Sequence, residues 1–182
     1  MNWSDQELID GCKRRSAKSE ELFFKKYYGY VMGISLSYAK DRDLAQEIVN
    51  DSFLKFFGSI ESLTDHQAVK PWLRRITVNT AIDWYRKNKK YSQQQEINEQ
   101  NEVFHEVHAI SDMAYEDLVK LLHQLPEDHY LVFSLYEVEG YSHREIGEKM
   151  GITESSSRVY LARAKARLRE LVEMHLKEYA GR

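Results

Sequence analysis

Apolar residues recur at the three-and-four spacing of one helical face in block after block of the chain, so the sequence predicts helices throughout. Ser4 followed by Glu7 is a capping-box pair, and it opens a short helix through Leu8 and Ile9 that should end near Gly11. From Ser19 a longer helix carries a stripe of Leu22, Phe23, Tyr27, Tyr30, Val31, Ile34 and Tyr38, which reads as packing surface. Asp43 and Gln46 form another cap pair, after which Ala45, Ile48, Val49, Phe53, Phe56 and Phe57 point inward. Glu47, Asn50, Asp51 and Leu54 gather on the opposite side of the same helix. Residues 58–70 show no period and read as a loop. Pro71 is the expected first residue of the next helix, with Trp72, Leu73, Ile76, Thr80 and Trp84 inside and Arg75, Asn79 and Arg86 outside.

Past residue 90 the pattern fades. Residues 91–112 are rich in Gln, Asn and Glu, have no sustained apolar period, and read as a polar linker. His105 and His108 within it have a helical metal-ligand spacing but no third ligand nearby. Residues 113–125 resume a helix with Leu118, Leu121, Leu122 and Leu125 on one side, Pro126 breaks it, and a further helix through Val132, Phe133, Leu135 and Val138 ends at Gly140.

The next stretch predicts a helix-turn-helix. Ser142 and Glu145 form a capping box, Gly151 permits the left-handed backbone of a helix end, and Thr153 is placed to cap the second helix. On that helix Ser157, Leu161, Ala164, Leu168, Leu171 and Val172 share the inner side. The outer side carries Ser155, Arg158, Val159, Ala162, Arg163, Ala166 and Arg169, small residues and arginines without an acid among them. Small side chains allow close approach to a DNA groove, and Arg can bond guanine edges or phosphates. The plain alternative is a charged helix kept soluble by its surface.

Composition narrows the function class. A chain of 182 residues with 42% hydrophobic and 30% charged residues is a foldable polypeptide with room for one ordinary domain or two small ones. A net charge of −3 argues against indiscriminate coating of nucleic acid and places basic surface locally. A single cysteine, Cys12, excludes an intramolecular disulfide and a thiolate metal cluster. No apolar run approaches the ~20 residues of a membrane span, and the N-terminal residues lack a signal-peptide core, so no membrane insertion and a cytoplasmic location are expected.

Two other surfaces invite chemistry. Leu54 beside Glu47, Asn50 and Asp51 resembles an apolar anchor with a polar rim, suited to a basic protein partner; a solvated face with one stray leucine is the alternative. Between Lys70 and Lys90 seven basic residues meet one acid, Asp83. A loop followed by a helix bearing Asn79, Arg75 and Arg86 with nearby rings suits single-stranded nucleic acid, while Trp72 and Trp84 themselves read first as core packing. No phosphate loop, HExxH, GxSxG or plausible metal set is present, so no catalytic residue and no cofactor are assigned.

In combination these stretches resemble a bacterial RNA polymerase sigma factor of the extracytoplasmic-function type. EIVNDSFLKFF resembles the region 2.2 motif, PWLRRITVNTAIDWYRKNKK the region 2.3 to 2.4 helix, and the stretch from LPEDHY to ARLREL region 4. The resemblance implies an all-α chain of two helical domains: residues 1–90 binding the polymerase clamp and the −10 element, a linker at 91–112, and residues 113–182 binding the −35 element. It assigns Glu47, Asn50, Asp51 and Leu54 to the clamp helices of the largest polymerase subunit. The loop at 58–70 with Arg75, Asn79 and Arg86 falls to the −10 strand, and Ser155, Ser156, Arg158, Val159, Ala162 and Arg163 to the −35 groove. It further implies the polymerase flap and an anti-sigma factor as partners, with no catalysis by the chain itself. Asn50 stands where Gln is more usual, Ser157 where Val is typical, and Val159 and Tyr160 where Ser and Arg are common. A helix-turn-helix regulator acting on duplex DNA alone is the competing reading, and it leaves Leu54 and the basic helix unexplained.

Overall fold

The computed structural model describes residues 3–92 and 120–180, with side chains from 3–89 and 120–175. Every regular element among them is helical, so the chain is all-α. It divides into two compact units, Met1–Gln95 and Glu96–Arg182. Most of the expected linker, His105 and His108 included, and the first part of the helix expected at 113–125 lie outside the described residues.

The first unit contains α1 (Asp5–Lys13), α2 (Ala17–Tyr38), α3 (Arg42–Ser59) and α4 (Val69–Ser92). The Ser4–Glu7 capping box forms as expected. The helix nevertheless runs past Gly11 to Lys13. Gly11 serves close packing instead: a Cβ there would lie 2.0 Å from Ser19 Oγ, so the bare backbone lets α1 approach the start of α2. The turn is made four residues on by Arg15, which has a left-handed φ of 57°. The Ser16 amide then donates to Gly11 O at 3.0 Å, a six-to-one closure of the helix end.

Two helix starts differ from expectation. Helix α2 starts at Ala17, before the expected Ser19, because Ser16 caps it, its hydroxyl accepting from the Ser19 amide. Asp41, not Asp43, caps α3, and its carboxylate accepts from the Leu44 amide at 2.7 Å. Gln46 is thereby free to accept from the Tyr28 hydroxyl at 2.7 Å. In both places several Ser or Asp residues lie within one turn, and backbone conformation decides which caps.

The core of this unit is aromatic. Phe23 stacks on Phe56 with ring centroids 4.5 Å apart, and Phe24 contacts Phe53 at 4.6 Å. Full burial of a side chain such as Phe23 or Phe56 contributes roughly 1.5–3 kcal/mol. Leu8, Ile9, Cys12, Val31, Ile48, Val49 and Leu73 close the same cluster. Burial pushes the Cys12 thiol up to about 11, with Glu20 adding to it, so this cysteine is an inert packing residue.

The segment expected as an irregular loop contains two short 3-10 turns, Ile60–Ser62 and His66–Ala68. Helix α4 begins at Val69, two residues before Pro71. A proline in a first helical turn sacrifices no intrahelical bond, so it does not have to be the first residue. Helix α4 is also buried more widely than one stripe, with Thr77, Val78, Ala81, Ile82 and Tyr85 inside as well as Leu73 and Thr80.

In the second unit residues 120–122 are helical and Pro126 is the N-cap of α5 (Glu127–Phe133). This helix passes directly into one π turn, Ser134–Val138, before Gly140 reverses the chain at φ 74°. The wider turn buries Ser134 and Leu135 while leaving Val138 58% exposed. Helices α6 (His143–Met150) and α7 (Glu154–Ala180) pack against each other, and α7 also packs on α5.

Candidate polymer-binding surfaces

Helix α3 turns one face to the aromatic core and the other to solvent. Leu54 is 70% exposed at the centre of that outer face, with Glu47 and Asn50 exposed beside it. Asn50 Oδ1 accepts from Gln46 Nε2 at 3.1 Å. Asp51 does more than decorate the rim. It is half-buried and its Oδ2 accepts from the Trp84 indole N–H at 3.0 Å, tying α3 to α4. A second tie lies nearby, where Lys55 Nζ meets Asp83 Oδ2 at 2.8 Å. The apolar knob therefore rides on a helix tied to α4, and among the described residues no large side chain of its own unit covers it.

On α4 the expected outer residues are not equivalent. Arg75 and Arg86 are exposed, whereas Asn79 is half-buried, because burial extends around more of this helix than one stripe. The rings near the basic residues are largely committed. Trp72 packs on Phe56 with centroids 5.2 Å apart, and Lys87 Nζ lies 5.0 Å above the Trp84 ring. Lys89 donates to the Tyr85 hydroxyl at 2.7 Å. In the preceding loop Ile60, Leu63 and Val69 are buried anchors, and Glu61, Ser62, Thr64, Asp65 and Gln67 are exposed between them. This leaves a rigid cationic face beside a loop that presents short polar side chains.

The helix-turn-helix forms with the expected joints. Ser142 and Glu145 make the capping box, Gly151 takes φ 69°, and the Ile152 amide donates to Gly147 O at 3.1 Å. Thr153 Oγ1 accepts from the Ser156 amide at 3.0 Å, and its hydroxyl also meets those of Ser155 and Ser156 at 2.9 and 2.8 Å. Those two serines thus hold the turn as well as flanking the outer face. A Cβ on Gly147 would lie 2.8 Å from Ile152 O, so the glycine lets the turn fold tightly over α6.

Along α7 Ser157, Leu161, Ala164 and Leu171 are buried, and Ser155, Arg158, Val159, Ala162, Arg163, Ala166 and Arg169 are exposed. Arg158 pairs with Glu154 one turn earlier, an acid at the edge of a face expected to have none. Two contacts to this helix were not legible beforehand. His143 Nδ1 lies 2.9 Å from Ser157 Oγ, and its ring stacks on Tyr136 with centroids 4.5 Å apart. His129 contacts the Tyr160 ring at 5.1 Å. Burial lowers the proton affinity of both histidines, with Arg158 adding to it at His143 and Arg163 at His129. Among the described residues no cluster of three or more His, Cys, Asp or Glu side chains could hold a metal, and no helix is long and apolar enough to cross a membrane.

Residues 23–91 match the family described as Sigma-70 region 2, and residues 115–168 the family described as Sigma-70, region 4. The chain is 30% identical over 155 residues to the ECF RNA polymerase sigma factor SigM of Bacillus subtilis, covering 81% of this chain and 91% of that one. It is 28% identical over 182 residues to the ECF RNA polymerase sigma-E factor of Haemophilus influenzae, covering 93% and 94%. Among solved structures, the sigma factor RpoE of Bartonella quintana, crystallised with the anti-sigma factor NepR, superposes with a TM-score of 0.56 at 20% identity. That match covers 86% of this chain and 98% of the other.

Proposed function

Because the chain belongs to the extracytoplasmic-function group of the sigma-70 family of RNA polymerase sigma factors, we propose that α3 docks it on core polymerase while α4, the preceding loop and α7 read the promoter. The observation that carries this division is Leu54: a large apolar side chain, 70% exposed, on a helix held rigidly by the Asp51–Trp84 and Lys55–Asp83 ties. Leu54 enters a pocket on the clamp helices of the largest subunit, and Glu47, Asn50 and Asp51 meet polar and basic groups at its rim. Arg75 and Arg86 hold the backbone of the −10 strand, with Asn79 and the loop at 58–70 receiving its unpaired bases. Arg158 and Arg163 face the −35 major groove with Ser155, Ser156, Val159 and Ala162, whose small size lets the helix approach. The second unit also touches the polymerase flap.

Affinity in this scheme is largely avidity. Each DNA surface is small, so the free chain binds DNA weakly, and docking on polymerase sets the two units for simultaneous contact. Opening the duplex costs a few kcal/mol per unstacked base, offset by the contacts each captured base makes. The chain supplies binding and strand capture and no covalent chemistry, and it works in the cytoplasm. An anti-sigma factor, such as the one crystallised with the Bartonella protein, would silence it by covering the same surfaces.

The test is run-off transcription from a promoter library with bacterial core polymerase, with and without the chain and with a Leu54→Asp variant. Transcripts sharing a −35 and −10 pattern should appear only with the intact chain. Protection of duplex DNA by the chain alone, with polymerase unaffected, would show a conventional regulator and remove the clamp assignment.

A further inference from the structure

The α3–α4 loop is gripped from one side by the end of α1. Lys13 Nζ donates to Leu63 O at 2.8 Å, and Arg15 Nη1 donates to Phe57 O at 3.2 Å. His66 Nε2 lies 3.4 Å from Asp10 Oδ1. These contacts link residues 50, 42 and 56 positions apart in sequence, and they converge on one segment. Phe57 O belongs to the last turn of α3, whose carbonyls have no partner within the helix, so a cation there also suits the helix dipole. Beneath them Leu8, Ile9 and Cys12 of α1 share a buried cluster with Ile60 and Leu63 of the loop.

Arg15 is the telling residue. Among the described residues it is the non-glycine residue with positive φ, at a helix end where Gly or Asn would be unstrained. That conformation directs its guanidinium to the end of α3, a contact glycine could not make. Between the fixed points the backbone has little freedom left, and the side chains it displays outward are Glu61, Ser62, Thr64, Asp65 and Gln67.

We propose that Asp10, Lys13 and Arg15 are positioning residues that hold the α3–α4 loop in a base-receiving conformation, and so set discrimination among bases at the −10 position this loop captures. The inference rests on the reading of that loop as a −10 strand site. A fixed polar group rejects a wrong base because its own hydrogen bond is lost, whereas a loose loop re-forms around the alternative. Loosening the grip therefore flattens base preference at one position more than it lowers occupancy of the preferred promoter.

The full chain with core polymerase is assayed by competitive transcription from templates carrying every base at each −10 and −35 position. A Lys13→Met, Arg15→Asn double variant should transcribe the preferred promoter within a few-fold of the parent. Its preference at one −10 position should fall roughly tenfold, what one well-placed hydrogen bond contributes, with −35 preferences unchanged. Lys13→Arg, which keeps a cation within reach of Leu63 O, should retain the preference. A uniform loss over all templates, or an unchanged base preference, overturns the proposal. If the double variant does not fold, Arg15→Asn alone is read by the same criteria. A Glu61→Ala, Thr64→Ala variant separates the two levels. If it leaves −10 preference intact, the loop is not a base reader and both readings fall; if it alters preference while the α1 variants do not, only the positioning role falls.

Discussion

Leu54 and Asp51 share a helix face and differ in what holds them. Leu54 is 70% exposed, so Leu54→Asp should change stability by no more than about 0.5 kcal/mol. As the central anchor of an interface it should cost about 2 kcal/mol or more in polymerase affinity, roughly thirtyfold. Thermal melting beside a core-polymerase pull-down checks both halves, and equal loss in the two would make Leu54 a folding residue. Helical period alone was enough to bring Leu54 to the surface. It could not reveal that one oxygen of Asp51 accepts from Trp84, because the two lie 33 residues apart and only the packing of α3 on α4 joins them. Caps were legible at Ser4 and Ser142, where a Glu three residues on completes a capping box, and at Thr153, which follows directly on the Gly151 turn. The cap of α3 was misplaced, Asp43 being expected where Asp41 serves, because two Asp residues within one turn offer the same chemistry.

Glycine separates what a helix prefers from what its neighbours require. Gly33 lies within α2, is exposed, and has nothing within 4 Å of an added Cβ. Gly33→Ala should therefore stabilise the first unit by up to about 1 kcal/mol through helix propensity alone. Gly11 is equally helical, but its Cβ would lie 2.0 Å from Ser19 Oγ and 2.5 Å from Ser19 Cβ. Rotating the serine relieves the first contact and not the second, so α1 and α2 must part. Gly11→Ala should destabilise by roughly 1–3 kcal/mol, the usual cost of overpacking. Urea melts of the two variants should move in opposite directions; a shared direction would mean that propensity, not packing, governs both sites. From sequence Gly11 looked like a helix end because glycine usually is one. The signal that it lies inside is the partner serine eight residues on, visible only once the helices are packed. The π turn at Ser134–Val138 had no sequence signal of its own, since its residues also suit an ordinary helix.

At the scale of the whole chain the two units should answer acid differently. His129 and His143 bind protons less readily in the folded second unit than at their ordinary value of 6.5, through burial first and then the neighbouring arginines. The unfolded chain thus takes up more protons as pH falls, so this stabilising contribution is present above about pH 6.5 and is lost as pH falls towards the lowered folded values. For His143 protonation has a direct structural consequence. A doubly protonated ring can only donate to Ser157 Oγ, which must then turn its own proton elsewhere, and it adds a cation beside Arg158. In the first unit the groups with lowered affinity include Asp5, held by Lys26 and Tyr27 against the opposing effect of burial, and Glu7, held by Ser4. Their contribution is lost only as pH falls below the ordinary carboxylate range near 4. All three tryptophans, Trp3, Trp72 and Trp84, belong to the first unit, so their fluorescence follows that unit alone while circular dichroism follows every helix. Between pH 7 and about 5 the thermal transition seen by circular dichroism but not by tryptophan should move to lower temperature, with the tryptophan transition nearly still. Ser157→Val with His143→Leu, which replaces the polar pair by apolar side chains, should shrink that movement. If the tryptophan transition falls in step with the other, the histidines beside α7 are not the acid-sensitive groups, and the two units unfold as one.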